Sequence, residues 1–146
     1  KQNIVFHSKE EQLTFNKSTT TSGWVADPMG VNAGGWGLTL SPLDMAKIGQ
    51  LYLNDGIWAE RQIVSSQWIN ESITEHSLWK KRGLSYGYLW WIISKQEKAC
   101  AAMGDGGNVI YFNKEKGLVI AIASLFAPNV KDRIELIKDI IEPVFG

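Results

Sequence analysis

The stretch of residues 99–112 constrains the fold of this chain more than any other part of it. The stretch begins with small apolar residues, continues with three glycines at positions 104, 106 and 107, and ends with residues that alternate as in a strand. Glycine weakens a strand because it loses much backbone entropy on ordering and has no side chain to pack. We therefore interpret the stretch as a strand broken at its glycines, where a bulge forms or where a ligand or another backbone comes close.

The composition is that of an ordinary globular protein. The 146 residues are 45% hydrophobic and 21% charged, which suits a packed core and excludes a disordered chain. Fifteen basic residues balance fifteen acidic ones, so the chain lacks the charge of a nucleic-acid-binding or membrane-surface protein. No apolar run is long enough for a membrane span. We expect no nucleic-acid partner and no membrane span in this chain.

Few residues offer reactive or metal-binding chemistry. The single cysteine, Cys100, excludes an internal disulfide and a cysteine-based zinc site, and its apolar surroundings indicate a small core residue. His7 and His76 are too isolated in the sequence to form a metal site, so no metal and no cofactor are expected. The chain begins with Lys1 rather than Met, which predicts a piece of a longer product and leaves localisation unknown.

The first part of the chain divides at Gly23. Residues 1–23 form a poorly defined segment, with a short strand expected at 4–6 and a helical turn at 10–15. Residues 24–37 contain many turn-forming residues but also two tryptophans, and this mixture predicts an ordered loop.

Two helices are expected next. Ser41 is a good N-cap, Pro42 suits the first helical position, and Asp44 favours the positive end of the helix dipole. That helix is predicted to end in a left-handed cap at residues 54–56. A shorter helix is predicted to begin after Ser65 or Ser66.

The second half of the chain has strand periodicity. Residues 86–93 have strand periodicity, and both faces of that strand are apolar, which predicts a central strand covered on two sides. Residues 118–125 form a continuous apolar run, which predicts another buried strand. The last helix is expected to carry one apolar stripe, formed by Val130, Ile134, Ile137 and Ile141. The predicted fold class is α+β, with an N-terminal loop and two helices, a three-stranded antiparallel sheet and a C-terminal covering helix.

Several motifs together resemble a known family. In chain order they are Asp27-Pro28-x-Gly30, Gly34-Gly35-Trp36-Gly37-Leu38, Ser41-Pro42-x-Asp44 continuing to Gly56, Trp68, Tyr86-Gly87-Tyr88-x-Trp90-Trp91 and Gly104-x-Gly106-Gly107. This order resembles the C-terminal portion of the serine hydrolases of the class C β-lactamase and penicillin-binding-protein family. The resemblance covers residues 24–146, which we expect to be part of one hydrolase domain with a partial β-lactamase/transpeptidase-like fold. Residues 1–23 do not share it.

The resemblance implies a specific chemistry. Family members attack an acyl group with a serine from a Ser-x-x-Lys motif, while a Tyr-x-Asn or Tyr-x-Ser tyrosine helps to move protons. A third motif, Lys-Thr-Gly or His-x-Gly, lies on a strand beside a main-chain N–H of the oxyanion hole. Only this third element is expected in the present chain, at Gly104, Asp105, Gly106 and Gly107. Ala102 and Met103 replace the expected lysine or histidine, which argues against recognition of a β-lactam carboxylate.

Other candidate residues have two readings. Ser77 and Lys80 match the bare Ser-x-x-Lys spacing, but the charged residues that follow and the position in the chain indicate a coincidence. Asp105 is either a turn residue or a carboxylate that lines the site. Trp36, Tyr86 and Trp90 are candidates for a cleft wall, with core packing as the alternative.

The sequence therefore supports two hypotheses. In the first, the chain is the C-terminal fragment of a β-lactamase-like serine hydrolase and is inactive alone, because the nucleophile motifs are missing. In the second, it is a non-enzymatic binding or assembly module derived from that fold. Under the second hypothesis an isolated piece is expected to expose apolar surface, and the expected partners are a missing N-terminal half or a second copy of the chain. The resemblance further implies an extracytoplasmic location, which is usual for the family.

Overall fold

The computed structural model describes residues 23–125 and 129–145. The strand expected at 4–6, the helical turn expected at 10–15 and His7 lie outside the described residues. The described part of the chain begins with a small hairpin and ends with a helix, and a large sheet lies between them in sequence.

The elements follow one another closely along the chain. The first half contains strands β1 (Gly23–Trp24) and β2 (Leu38–Thr39), helix α1 (Pro42–Leu53), strands β3 (Ile57–Trp58) and β4 (Arg61–Gln62), and helix α2 (Ser66–Ser72). The second half contains strands β5 (Ser77–Trp79), β6 (Leu84–Tyr86), β7 (Trp91–Ser94), β8 (Ala99–Met103), β9 (Val109–Asn113) and β10 (Leu118–Ile122). A C-terminal helix, α3, combines the consecutive segments Arg133–Leu136, Ile137–Ile141 and Glu142–Phe145, of which the middle one is π-helical.

The start of α1 confirms the predicted helix boundary. The hydroxyl oxygen of Ser41 accepts a hydrogen bond of 3.2 Å from the N–H of Asp44, and Pro42 occupies the first turn. The ammonium of Lys47 and the hydroxyl of Ser41 lower the pKa of Asp44. The helix ends at Asn54, and the N–H of Gly56, which has a φ of +85°, donates to a carbonyl in the last turn. Both ends of α1 are therefore set by local residues.

The second helix also begins where its capping residue predicts. The hydroxyl oxygen of Ser65 accepts a hydrogen bond of 3.2 Å from the N–H of Trp68. The helix is short, and only Ile69 and Ser72 among its residues are buried. Its C-terminal end leads directly towards the first strand of the large sheet.

The large sheet has six strands, so the expected three-stranded sheet is wrong. The strands are antiparallel and lie in the order β10-β9-β8-β7-β6-β5, and two two-stranded sheets, β1-β2 and β3-β4, accompany them. One reason is that the segment predicted as a single strand from Tyr86 is a hairpin. The N–H of Gly87 donates to the carbonyl of Trp90 at 2.8 Å, and Leu89 takes a φ of +66° in the turn.

The same correction applies to residues 99–112. They form two strands, β8 and β9, which pair with each other from Ala99 opposite Asn113 to Met103 opposite Val109. The glycines lie in the turn between these strands and not in a bulge within one strand. Strand β5, which was not predicted, adds the sixth member by pairing with β6. Glycines that interrupt an apolar stretch are consistent with a bulge within one strand or with a turn between two strands, so the sequence does not separate these two structures.

The sheet is covered on both faces. On one face, Ala99, Ala101 and Tyr111 pack against Ile137 of the C-terminal helix, and Ile134 and Ile141 of the predicted stripe pack against the same cluster. The prediction for Val130 is wrong, because this residue precedes the helix and is 48% exposed. On the other face, Trp90, Cys100 and Phe112 form a second cluster. The side chains packed against this second cluster include Ile48 and Tyr52 of α1. The helices thus form one layer on each side of β8 and β9.

A buried polar network joins the C-terminal helix to the sheet. The carboxylate of Glu142 is 2% exposed and accepts hydrogen bonds from the hydroxyl of Tyr111 at 2.5 Å and the amide of Asn113 at 2.9 Å. The ammonium of Lys138 lies 2.7 Å from the same carboxylate. Burial opposes ionisation of Glu142, but these three donors outweigh it and lower its pKa to about 2. The charge is therefore compensated inside the protein.

None of the helices in residues 23–125 and 129–145 combines the length and the hydrophobicity that a membrane crossing requires.

Candidate functional site

The candidate site is the glycine-rich turn that joins β8 to β9. Met103 pairs with Val109 at the end of the two strands, and the N–H of Gly104 donates to the carbonyl of Asn108 at 2.9 Å. Residues Gly104–Gly107 form a tight turn, closed by a hydrogen bond of 3.3 Å from the N–H of Gly107 to the carbonyl of Gly104, and the φ of +79° and ψ of -3° at Gly106 are those of the third residue of a type II β-turn. We refer to residues 104–108 as the glycine turn.

Two positions in the glycine turn require glycine. Gly106 has a φ of +79° and Gly107 a φ of +88°, a region of backbone conformation that side chains with a Cβ rarely adopt. A Cβ on Gly107 would also lie 3.0 Å from Nε of Arg133. At Gly107 the group that comes close is the side chain of Arg133, and not the ligand or second backbone that the sequence suggested.

The side chain of Asn108 holds the glycine turn in place. Its amide nitrogen donates to the carbonyl of Asp105 at 3.1 Å, and its oxygen accepts from the N–H of Ser124 at 2.9 Å. The guanidinium of Arg133 adds a second support, because it donates to the hydroxyl of Ser124 at 2.5 Å and to the carbonyl of Lys131 at 2.7 Å. The turn is therefore tied to the end of the sheet and to the start of the C-terminal helix.

These supporting residues were not identified from the sequence. Asn108 directly follows the glycines, and an asparagine beside a turn is a recognisable signal of side-chain bonding to the backbone. Ser124 and Arg133 have no such signal, because they are distant from the glycine turn in the sequence and contact it only in the folded chain.

The N–H groups of Asp105 and Gly106 are the hydrogen-bond donors that the glycine turn offers to a ligand. Among the residues that the structure describes, neither N–H donates a hydrogen bond, while the neighbouring N–H groups of Gly104 and Gly107 both do. Asp105 is an exposed residue and Gly106 is half-buried. Backbone N–H groups held in a fixed turn are suitable donors to a carbonyl oxygen or to an oxyanion.

The three predicted cleft-wall rings lie in different surroundings. Trp36 is 69% exposed in the segment between β1 and β2. Tyr86 is half-buried on β6 and packs against Trp91 with ring centroids 4.5 Å apart. Trp90 is 3% exposed, in the core between Tyr52 and Phe112. Its position matches the core-packing alternative, so Trp90 has no part in the site proposed below.

The Ser77–Lys80 pair does not have the setting of a catalytic Ser-x-x-Lys motif. Ser77 begins β5, a strand at the edge of the sheet, and its backbone pairs with Tyr86. Lys80 follows in the turn after β5, and both residues are exposed. A catalytic pair on one helix turn brings the serine and the lysine to the same face, which this strand and turn do not provide.

The remaining candidate residues, His76 and Cys100, pack within the fold. The ring of His76 stacks on Tyr88 at 4.1 Å, and its Nε2 lies 2.9 Å from the carbonyl oxygen of Glu71. Cys100 is buried, and burial raises the pKa of its thiol to about 12, which keeps it protonated at neutral pH. Within the described ranges, no three side chains of His, Cys, Asp or Glu come together as a metal site.

The comparisons with known proteins support the fold of this chain. No family model matches the chain, and no curated protein matches it. Among solved structures, it is similar to the "Putative 6-aminohexanoate-dimer hydrolase from Bacillus anthracis", with a TM-score of 0.65 and 23% sequence identity. The match covers 83% of this chain but only 32% of that chain, so this chain spans about a third of the length of that protein.

The Bacillus anthracis structure has the β-lactamase/transpeptidase fold of serine hydrolases. At this identity the match shows a shared fold and does not by itself transfer an activity. The resemblance found in the sequence motifs is therefore supported at the level of the fold, and the chain is related in fold to a hydrolase.

Proposed function

We propose that this chain forms the oxyanion-side portion of a serine hydrolase with the β-lactamase-like fold. The reaction is acyl transfer or hydrolysis, with a β-lactam, a D-alanyl peptide, an ester or an amide as the substrate class. One observation carries the proposal, namely the pair of N–H groups of Asp105 and Gly106 in the anchored glycine turn. The shared fold and the order of the sequence motifs support it.

The proposed role of the glycine turn follows from the chemistry of acyl transfer. When a serine oxygen bonds to the acyl carbon, its proton passes to a base and the carbonyl oxygen becomes negatively charged. Preorganised N–H donors stabilise this oxyanion before the leaving group departs with a proton. Asp105 and Gly106 can supply such donors without a particular side chain. Because Ala102 and Met103 replace a lysine or histidine, the proposal includes no recognition of a substrate carboxylate by this strand.

We further propose that the chain by itself does not catalyse acyl transfer, because Ser77 is the only serine with the Ser-x-x-Lys spacing and it lies on an edge strand. The test is hydrolysis of nitrocefin and of p-nitrophenyl acetate by the chain Lys1–Gly146. We expect rates equal to the buffer background. Turnover that the substitution Ser77→Ala abolishes would contradict this part of the proposal.

The oxyanion role requires a product that contains the nucleophile. The coding sequence ahead of Lys1 is expected to contain a Ser-x-x-Lys and a Tyr-x-Asn or Tyr-x-Ser motif, and their absence contradicts the enzyme hypothesis. In the longer product, Asp105→Pro removes one N–H donor. Proline suits this position because Asp105 is the second residue of the turn, where proline is common, and the preceding Gly104 has extended backbone.

The matched control is Asp105→Ala, which removes the carboxylate and keeps the N–H. We expect Asp105→Pro to lower kcat by about 100-fold, the usual effect of losing one oxyanion donor, and Asp105→Ala to leave kcat within about threefold. Equal losses in the two variants would assign the effect to the carboxylate. No loss in either variant would remove the glycine turn from the oxyanion hole.

A second function, as a non-enzymatic assembly module, is favoured by exposed apolar side chains. In and beside the β1-β2 hairpin, Met29 is 88%, Val31 64%, Trp36 69% and Leu43 70% exposed. Exposed apolar side chains are available for contact with a partner. Light scattering over a range of concentrations tests this function. Growth of the apparent mass with concentration, reduced by Trp36→Ser, supports it, and a monomer at all concentrations contradicts it.

A further inference from the structure

A cavity of about 340 Å³ lies between the end of α2 and the turn that joins β7 to β8. Its lining includes Ile73, Ile92 and Cys100, which belong to or pack on the apolar cluster under α1. The polar residues at the cavity are more exposed and include Glu75, Lys95 and Lys98. An apolar interior with a few polar groups at the opening is typical of a small-ligand site, and the volume lies at the lower end of the usual range.

The charges at the opening are unequally compensated. The carboxylate of Glu75 accepts hydrogen bonds of 2.6 Å from both the ammonium of Lys95 and the hydroxyl of Ser85, and these two donors lower its pKa. Lys98 is 65% exposed, and its nearest carboxylate among the described residues, that of Glu115, is 3.8 Å away. The ion pair of Lys98 with Glu115, at 3.8 Å, is therefore longer than that of Lys95 with Glu75, at 2.6 Å, and Lys98 is the more weakly paired of the two ammonium groups.

The interior of the cavity is chemically unreactive. Cys100 is 2% exposed, and its protonated thiol behaves as a small apolar group. Ile73 and Ile92 provide aliphatic surface beside it. These side chains favour an alkyl chain or a small ring over a polar group, because an unpaired polar atom loses its hydrogen bonds to water on entering.

We propose that this cavity binds a small molecule with an apolar body and one anionic end, of the class of the medium-chain carboxylic acids. The apolar body packs against Ile73, Ile92 and Cys100, and the carboxylate pairs with the ammonium of Lys98 at the opening. The cavity adjoins the Ala99 end of β8, while the glycine turn follows the Met103 end. The proposal is therefore independent of the proposed hydrolase function.

The test uses the isotopically labelled chain Lys1–Gly146 and NMR titration with octanoate. We expect saturable shifts of the amide signals of Ile92 and Cys100, with a Kd on the order of 1 mM for so small a ligand. Octylamine has the same alkyl chain and the opposite charge, so we expect it to bind at least about fivefold more weakly. Absence of saturable shifts with octanoate, or equal binding of octylamine, would overturn the proposal.

Two variants separate specific binding from general attraction of charge. Lys98→Glu is expected to weaken octanoate binding by about three- to tenfold, because it replaces an attraction by a repulsion at the surface. The matched control is Lys81→Glu, which makes the same charge change at an exposed residue of the β5-β6 turn and leaves binding unchanged. Equal weakening in both variants contradicts a site at Lys98.

A third variant tests the cavity itself. Thr74 is exposed and lines the cavity, so Thr74→Trp obstructs it without changing a buried residue. We expect the shifts of Ile92 and Cys100 caused by octanoate to disappear in this variant, while its circular dichroism spectrum remains that of the unmodified chain. Unchanged octanoate binding by a folded Thr74→Trp chain places the ligand elsewhere and overturns the proposal.

Discussion

The hydroxyl of Tyr111 donates a hydrogen bond of 2.5 Å to the carboxylate of Glu142, between the sheet and the C-terminal helix. The two residues are 31 positions apart in the chain, and neither is more than 2% exposed. Burial of the tyrosine, followed by its hydrogen bond to the carboxylate, raises the pKa of Tyr111. The bond therefore joins a neutral phenol to a charged carboxylate and fixes the helix on the sheet.

Protonation of Glu142 is expected to destabilise the fold. Its pKa is about 2 in the folded chain against 4.5 for the free side chain, so its stabilising contribution is present above pH 4.5 and is lost as the pH falls towards 2. The shift corresponds to about 3 kcal/mol of unfolding free energy. Urea unfolding measured between pH 7 and pH 2 tests this.

The variant Glu142→Gln is expected to remove most of this pH dependence and to lower the stability at pH 7. Glu135→Gln, at an exposed position of the same helix, is the control and leaves the acid-dependent loss unchanged. If Glu142→Gln loses stability with acid as steeply as the unmodified chain, another carboxylate is responsible.

Gly87 is expected to be intolerant of a side chain. A Cβ at this position would overlap the carbonyl oxygen of Ser72, at the end of α2. We expect Gly87→Ala to lower the free energy of unfolding by about 1–3 kcal/mol, as overpacking of a tight contact does. Gly34→Ala is the control, since no atom lies within 4 Å of its Cβ, and its effect should be close to zero. Urea midpoints of the two variants decide the comparison.

Asn108 is expected to control the order of the glycine turn. Loss of its side-chain oxygen in Asn108→Ala removes the acceptor for the N–H of Ser124, so amide exchange at Ser124 should become about tenfold faster. Asn108→Asp keeps an acceptor oxygen and should preserve the protection. Hydrogen exchange measured by NMR distinguishes these results, and equal exchange in all three chains contradicts the anchoring role.

Cys100 is expected to react slowly with thiol reagents. Its pKa of about 12 and its burial leave almost no accessible thiolate at pH 8. Labelling of the folded chain should be at least about 1,000-fold slower than labelling in urea, in line with the raised pKa. Ser77→Cys introduces an exposed thiol on β5 as an internal comparison. We expect the thiol at position 77 to react fast and the thiol of Cys100 to react slowly in the same folded chain.

Local residues predicted the helices. Ser41 and Ser65 are each three positions before the residue whose N–H they cap, so the local sequence predicts both capping hydrogen bonds. In the C-terminal helix, the spacing of Ile134, Ile137 and Ile141 also predicted the face that packs on the sheet, since spacing determines which side chains share a face. The order of the family motifs gave the fold relationship that the structural match supports.

The sheet was not predicted, because its turns depend on distant contacts. The turn at Gly87 is stabilised where the N–H of Tyr88 donates to the carbonyl of Ser72 at 2.8 Å, and this contact exists only after α2 has packed beside the sheet. Residues 86–93 are apolar on both sides of a strand, and this pattern is consistent with one long strand or with a hairpin. In residues 99–112 the glycines interrupt the pattern, and both a bulge within one strand and a turn between two strands are consistent with that interruption. The number of strands was therefore decided by tertiary contacts.

The glycine turn illustrates the same division. Its location followed from the sequence, because the positive φ angles of Gly106 and Gly107 are a property that glycine alone readily provides. Its rigidity did not, because Ser124 and Arg133 reach the turn from other parts of the chain. Backbone preferences are local and remain visible in the residues themselves. The burial of Trp90 and the anchors of the turn come from long-range packing, which only the folded chain determines.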